Sequence, residues 1–71
     1  MLRLKSELNE GYISPEFWAQ MDIEQKEAIS AAIAIYCGNY KKTYTYWAEI
    51  HDLMSGKKLA KYSKAWGFKV Y

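Results

Sequence analysis

A single cysteine in a chain of 71 residues is the feature that most limits what this protein can fold into. Cys37 cannot close an internal disulfide, and one thiol cannot build a structural zinc site. A chain this short buries only about 60% of the surface it exposes when unfolded, and such chains commonly add disulfides or metals to a thin core. Here the core must come from large side chains, from packing between elements, or from a partner. Two Phe, three Trp and seven Tyr supply the material, since each aromatic can bury about 150–250 Å². The lone thiol also points to a reducing, cytoplasmic setting.

With 51% hydrophobic residues and a net charge of +2, the chain is expected to fold as one domain over 1–71 rather than to stay disordered. The longest near-continuous apolar stretch, Ala28 to Cys37, is half of the ~20 residues a membrane-spanning helix needs. The segment Met1 to Glu10 is charged and lacks the apolar h-region of a secretory signal. No membrane partner is expected.

Local signals point to helices. Ser14-Pro15-Glu16 combines an N-cap residue, a proline suited to the first turn and an acid that complements the helix dipole. Asp22 is a second N-cap with Gln25 in the capping-box position. From Ile23 a longer helix is predicted, with Ala28, Ile29, Ala32, Ile33 and Tyr36 on its apolar face and Gly38-Asn39 as its stop. Tyr40, Tyr44, Trp47, His51 and Met54 step by four, three, four and three, which predicts a further helix ending at Gly56. Thr43 to Trp47 is also rich in strand formers, so a hairpin turning at Gly38-Asn39 is the rival reading. A last helix is predicted from Lys57 to Trp66, with Leu59, Tyr62 and Trp66 inward. Phe68 to Tyr71 alternates like a short strand, and Leu2 to Leu8 suits either a short helix or a strand beside that tail. The four glycines, at 11, 38, 56 and 67, read as element boundaries. The expected fold is therefore all-α, a small bundle of three to five short helices with a short irregular or strand-like C-terminal tail.

Catalytic chemistry has little support. His51 is the only histidine, and as a base it needs an orienting partner and a nucleophile within hydrogen-bond reach. On a helix Glu49 lies around the axis from it, and Cys37 could approach only through tertiary packing. His51 is thus expected to pack among aromatics with a ring nitrogen bonded locally. Its helical neighbours Trp47, Ala48, Met54 and Ser55 are not metal ligands, so no metal or cofactor is expected. No glycine-rich phosphate loop is present.

Charge distribution is more informative. Residues 1 to 36 carry Arg3, Lys5 and Lys26 against Glu7, Glu10, Glu16, Asp22, Glu24 and Glu27, a net of −3. Residues 37 to 56 balance, and residues 57 to 71 hold Lys57, Lys58, Lys61, Lys64 and Lys69 with no acid, a net of +5. The predicted contact set is Lys57, Lys58, Lys61, Lys64 and Lys69, with Tyr71, Tyr46, Lys41 and Lys42; Tyr12 joins it as a tyrosine off the main apolar stripes. Lys57, Lys61 and Lys64 would share a helix face. Lys41 and Lys42 are odd at a helix start, where they oppose the dipole.

The expected role is a small non-catalytic protein that docks on a larger protein and modulates it, inhibition being the favoured effect, as accessory factors of phages and mobile elements do. Abundant Tyr and Trp support this, because interface hot spots are rich in them. Nucleic-acid binding through the same lysines is the alternative, weakened by the presence of a single arginine. Homo-oligomerisation is compatible with either.

Overall fold

The computed structural model of the chain describes residues 2–71; Met1, where the charged N-terminal stretch begins, lies outside them. Five strands form one sheet: β1 (Leu2–Lys5), β2 (Glu10–Ile13), β3 (Trp47–Asp52), β4 (Lys58–Ser63) and β5 (Gly67–Val70). A 3-10 turn over Ser6–Leu8 joins β1 to β2, and α1 (Pro15–Gln20) and α2 (Ile23–Lys41) connect β2 to β3. Strand order follows chain order; β2 and β3 run parallel, and every other neighbouring pair is antiparallel. Among the described residues no helix is long and apolar enough to cross a membrane.

The all-α expectation is therefore wrong, and with it the description of a small helical protein. The fold is mixed α/β, with one long helix laid across a five-stranded sheet. The first two helices lie where their caps put them. Pro15 opens α1 behind Ser14, and at α2 the Asp22 side chain accepts from the Gln25 amide while Gln25 accepts from the Asp22 amide. Gly38-Asn39 does not stop α2, which continues to Lys41 and ends on Lys42 in the left-handed region (φ 58). The rival reading, a hairpin turning at Gly38-Asn39, does not form, since both residues lie within α2.

That later ending explains the two lysines. At the C-terminus of α2 their charge complements the dipole that it would oppose at a start. Two left-handed residues, Lys42 and Tyr44 (φ 59), then turn the chain out of the helix, and the further helix predicted from Tyr40 to Gly56 is instead the end of α2, a loop, β3 and the turn after it. Within β3, Ala48 and Ile50 are buried while Trp47, Glu49 and His51 alternate away from them, the period of two of a strand; of the strand formers Thr43 to Trp47 only Trp47 lies in it. The predicted helix from Lys57 to Trp66 is β4 and the turn after it. The tail is strand β5, and Leu2 to Lys5 is also a strand, but the two lie at opposite edges of the sheet.

The core lies between α2 and one face of the sheet. Ile13, Ala34, Cys37, Ala48, Ile50 and Ala60 are wholly buried there, with Trp18 and Ile33 beside them. The buried side of α2 is Ser30, Ile33, Ala34, Cys37 and Gly38, so the predicted face is rotated, and Ala28, Ala32 and Tyr36 are exposed. Small residues bring the layers close. A Cβ on Gly11, in mid-strand, would sit 2.9 Å from Ile33 Cδ1, and one on Gly38 would sit 2.7 Å from the Tyr46 ring. Gly11 and Gly38 are thus contact points rather than boundaries. Gly56 and Gly67 are turn residues, with φ of 77° and 94°.

Asn9 fastens one end of this arrangement. It is buried and left-handed (φ 56); its Nδ2 donates to the Trp47 carbonyl at 2.9 Å, and its Oδ1 accepts from Lys41 Nζ. Its own carbonyl accepts from the Glu49 amide at 2.8 Å. The starts of β2 and β3 and the end of α2 meet on this one side chain.

Candidate functional site

The helices cover one face of the sheet. Because Gly11, Ile13, Ala48, Ile50 and Ala60 point to α2, their alternate neighbours stand on the open face, and residues paired across strands share that face. The register arranges them in two rows. Arg3, Tyr12, His51 and Lys58 are successive cross-strand partners, and so are Lys5, Glu10, Glu49, Lys61 and Lys69. Tyr71 extends the first row: its amide donates to the Leu59 carbonyl, and its ring lies 5.7 Å from Lys58 Nζ and 5.3 Å from Lys69 Nζ. Trp47 stands at the end of the face, with Lys41 Nζ 6.0 Å from its ring.

Five cations and two carboxylates thus occupy this face. The helical side has the opposite sign, since Glu16, Asp22, Glu24 and Glu27 are exposed there, and Lys26 is folded onto the Trp18 ring at 5.2 Å. A total charge of +2 hides a two-signed molecule.

The centre of the open face is closely bonded. The Tyr12 and His51 rings stack with centroids 5.0 Å apart, and Lys5 Nζ covers the Tyr12 ring at 5.0 Å. Tyr12 donates its hydroxyl to Glu10 Oε1 at 2.8 Å. Lys58 Nζ meets Glu49 Oε2 at 3.2 Å, and His51 Nε2 lies 3.3 Å from Glu49 Oε1 and 3.8 Å from Glu10 Oε2. The hydrogen bond to Glu10, then loss of hydration, then the charges of Glu10 and Glu49 push the Tyr12 phenol above its ordinary pKa. Burial would push the Glu49 carboxyl up, but Lys58 and His51 together outweigh it and hold Glu49 below the usual carboxylate range.

Of the predicted contact set, Lys58, Lys61, Lys69 and Tyr71 come together on this face. Lys57 lies in the exposed β3–β4 turn and Lys64 in the β4–β5 turn, its Nζ 5.7 Å from the Tyr46 ring. Lys57, Lys61 and Lys64 therefore share no helix face. Tyr46 is half-buried against Gly38 and the core rather than free for contact, Lys41 is engaged by Asn9, and Lys42 caps α2. Tyr12 is half-buried, stacked on His51 and with Lys5 Nζ over its ring. Trp66, expected inside, is 91% exposed in the β4–β5 turn, and Met54 is 81% exposed.

His51 does pack on an aromatic ring with a local bond, its Nδ1 3.1 Å from the Gly56 carbonyl. Cys37 is buried on the helix side, so the sheet separates it from His51; burial pushes its thiol pKa up, against smaller opposing effects of Ser6 and Lys41. Sequence reasoning passed over Arg3, Lys5, Glu10 and Glu49 as site residues. The signal for the last two was Glu10-Gly11-Tyr12 and Glu49-Ile50-His51, a carboxylate and a ring flanking a small or apolar residue, which alternate only on strands. Comparison with protein-family models, with curated proteins and with solved structures finds no match.

Proposed function

We propose that this chain is a non-catalytic binding protein that docks its open sheet face on an acidic surface of a larger protein and alters that protein's activity, inhibition being the favoured effect. One observation carries the reading: Arg3, Lys5, Lys58, Lys61 and Lys69, drawn from three strands, share one face that no other element among the described residues covers, while Glu16, Asp22, Glu24 and Glu27 are exposed on the helical side. Such a field orients an incoming acidic partner and speeds encounter. Tyr71 and Trp47 add amphipathic contact area at the margins of the face.

A protein fits this face better than a nucleic acid does. Glu10 and Glu49 stand in the middle of the second row, where a run of phosphates would meet them. Tyr12, the central aromatic, is already stacked on His51 and has Lys5 Nζ over its ring, which leaves it poorly placed to stack on a base. A cytoplasmic setting suits the single unpaired thiol.

The test compares the wild-type chain with an Arg3→Glu/Lys61→Glu/Lys69→Glu variant as bait, with and without nuclease. These three residues leave the central hydrogen bonds intact, and circular dichroism checks the fold. A specific protein retained after nuclease, weakened by salt and lost with the variant, is the expected result. Loss of all partners on nuclease treatment overturns the reading in favour of nucleic acid. Retention of the same partner by the variant overturns the choice of face.

A further inference from the structure

The geometry points to a divalent metal site on the open face, formed by Glu10, Glu49 and His51, for a first-row ion of the Zn2+ class. Each residue offers one ligand atom, and these atoms lie within 4.8 Å of one another. Two of the separations, 3.3 and 3.8 Å from His51 Nε2 to Glu49 Oε1 and Glu10 Oε2, are near the ~3.4 Å edge of a tetrahedron drawn around an ion with bonds of about 2.0–2.2 Å.

The second observation is how the three residues are held. Every one is bonded through its other polar atom to a group outside the trio. His51 Nδ1 lies 3.1 Å from the Gly56 carbonyl, an acceptor, so Nδ1 is the donor there and Nε2 is the nitrogen turned to the centre. Glu10 receives the Tyr12 hydroxyl on Oε1, which leaves Oε2 turned to the centre. Glu49 receives Lys58 on Oε2, which leaves Oε1 turned to the centre. Backbone carbonyls on the far nitrogen of a histidine and hydrogen bonds on the far oxygen of a carboxylate are what orient ligands in metal centres. They fix the tautomer and aim the free donor atoms.

His51 Nε2 and two carboxylate oxygens converge on one point, where a metal ion in place of a proton on Nε2 would offset the repulsion between the carboxylates. Two carboxylates, with an imidazole bound through Nε2, would match a divalent charge. One nitrogen and two oxygen donors, with no thiolate, suit Zn2+ or its neighbours rather than Cu(I), and the imidazole disfavours Mg2+ and Ca2+. Three ligands from a half-exposed face leave a coordination position open to solvent, where a carboxylate or histidine of a partner could complete the shell. The site is a property of the isolated chain, so it stands or falls independently of the docking reading.

The experiment titrates ZnCl2 into the full chain by calorimetry, repeats it with CoCl2 for its visible absorption, and follows the His51 ring by NMR. One-to-one binding that shifts the His51 Nε2 signal is expected. The variants His51→Ala and Glu10→Gln should each weaken binding by about a hundredfold or more, and Tyr12→Phe by about tenfold, as loss of an orienting bond does. Circular dichroism confirms that each is folded. Three results overturn the proposal: no binding at millimolar Zn2+, which leaves a proton as the occupant; binding that leaves the His51 ring unmoved; or unchanged affinity in folded His51→Ala.

Discussion

Placing one methyl group at Gly38 tests the packing of α2 against the loop that leads into β3. A Cβ there would lie 2.7 and 2.8 Å from two Tyr46 ring carbons and 2.9 Å from the Thr45 carbonyl oxygen. The ring is itself held, since it packs on the core, its hydroxyl is bonded to Asn39 and Lys64 lies against it, and the carbonyl is backbone. Overpacking of this kind costs about 1–3 kcal/mol. Alanine gains about 0.5–1 kcal/mol over glycine inside a helix, so Gly38→Ala should lose up to about 2.5 kcal/mol net. For a domain of this size each kcal/mol lowers Tm by about 4–8 °C. Urea unfolding followed by tryptophan fluorescence and by circular dichroism reads the loss as a lower midpoint at unchanged slope. In a Tyr46→Ala background the same substitution should cost less, because only the Thr45 carbonyl then opposes the new methyl. A Gly38→Ala protein more stable than wild type would refute the argument, since helix propensity would then act without steric opposition.

Other perturbations probe separate parts of the fold. Asn9→Ala removes the bond to the Trp47 carbonyl and the partner of Lys41 and leaves alanine at positive φ; a loss of about 2–4 kcal/mol in urea titration is expected, with Asn9→Gly recovering the backbone part alone. Asp22→Ala breaks the capping box and should cost about 1 kcal/mol by the same measurement, while Ile50→Ala, at the centre of the core, should cost about 2–5 kcal/mol. Because Cys37 is wholly buried and its thiol pKa is raised, alkylation by iodoacetamide should be at least about a hundredfold slower than for a free thiol and should accelerate in urea; native-state alkylation at the free-thiol rate would contradict the buried placement.

How much of this was legible in the sequence depended on whether the signal was local. Pro15, the Asp22–Gln25 box and the turns at Gly56 and Gly67 are determined by a few adjacent residues, and they stand where the sequence puts them. β4 was hidden because the register shifts between Ile50 and His51, where Ala60 and Lys58 face successive residues of β3. The extra residue, Leu59, breaks the period of two, and Leu59, Tyr62 and Trp66 then fall at helical spacing. The buried side of α2 was misjudged because small residues, not large ones, make its contact. The pairing that makes the two rows of the open face could not be read from the sequence. They pair Glu10 with Glu49 and Tyr12 with His51, neighbours that only tertiary register creates.

The parallel seam between β2 and β3 has a kinetic consequence. The β1–β2 pair and the β3–β4–β5 meander each form from contacts close in sequence, but the seam joins Gly11 to Ile50 across α1 and α2. Closing that loop costs entropy before any central pairing repays it. Folding speed should therefore be governed by how early α2 forms and shortens the search, so that residues on its buried side influence refolding rates more than residues of the C-terminal meander do.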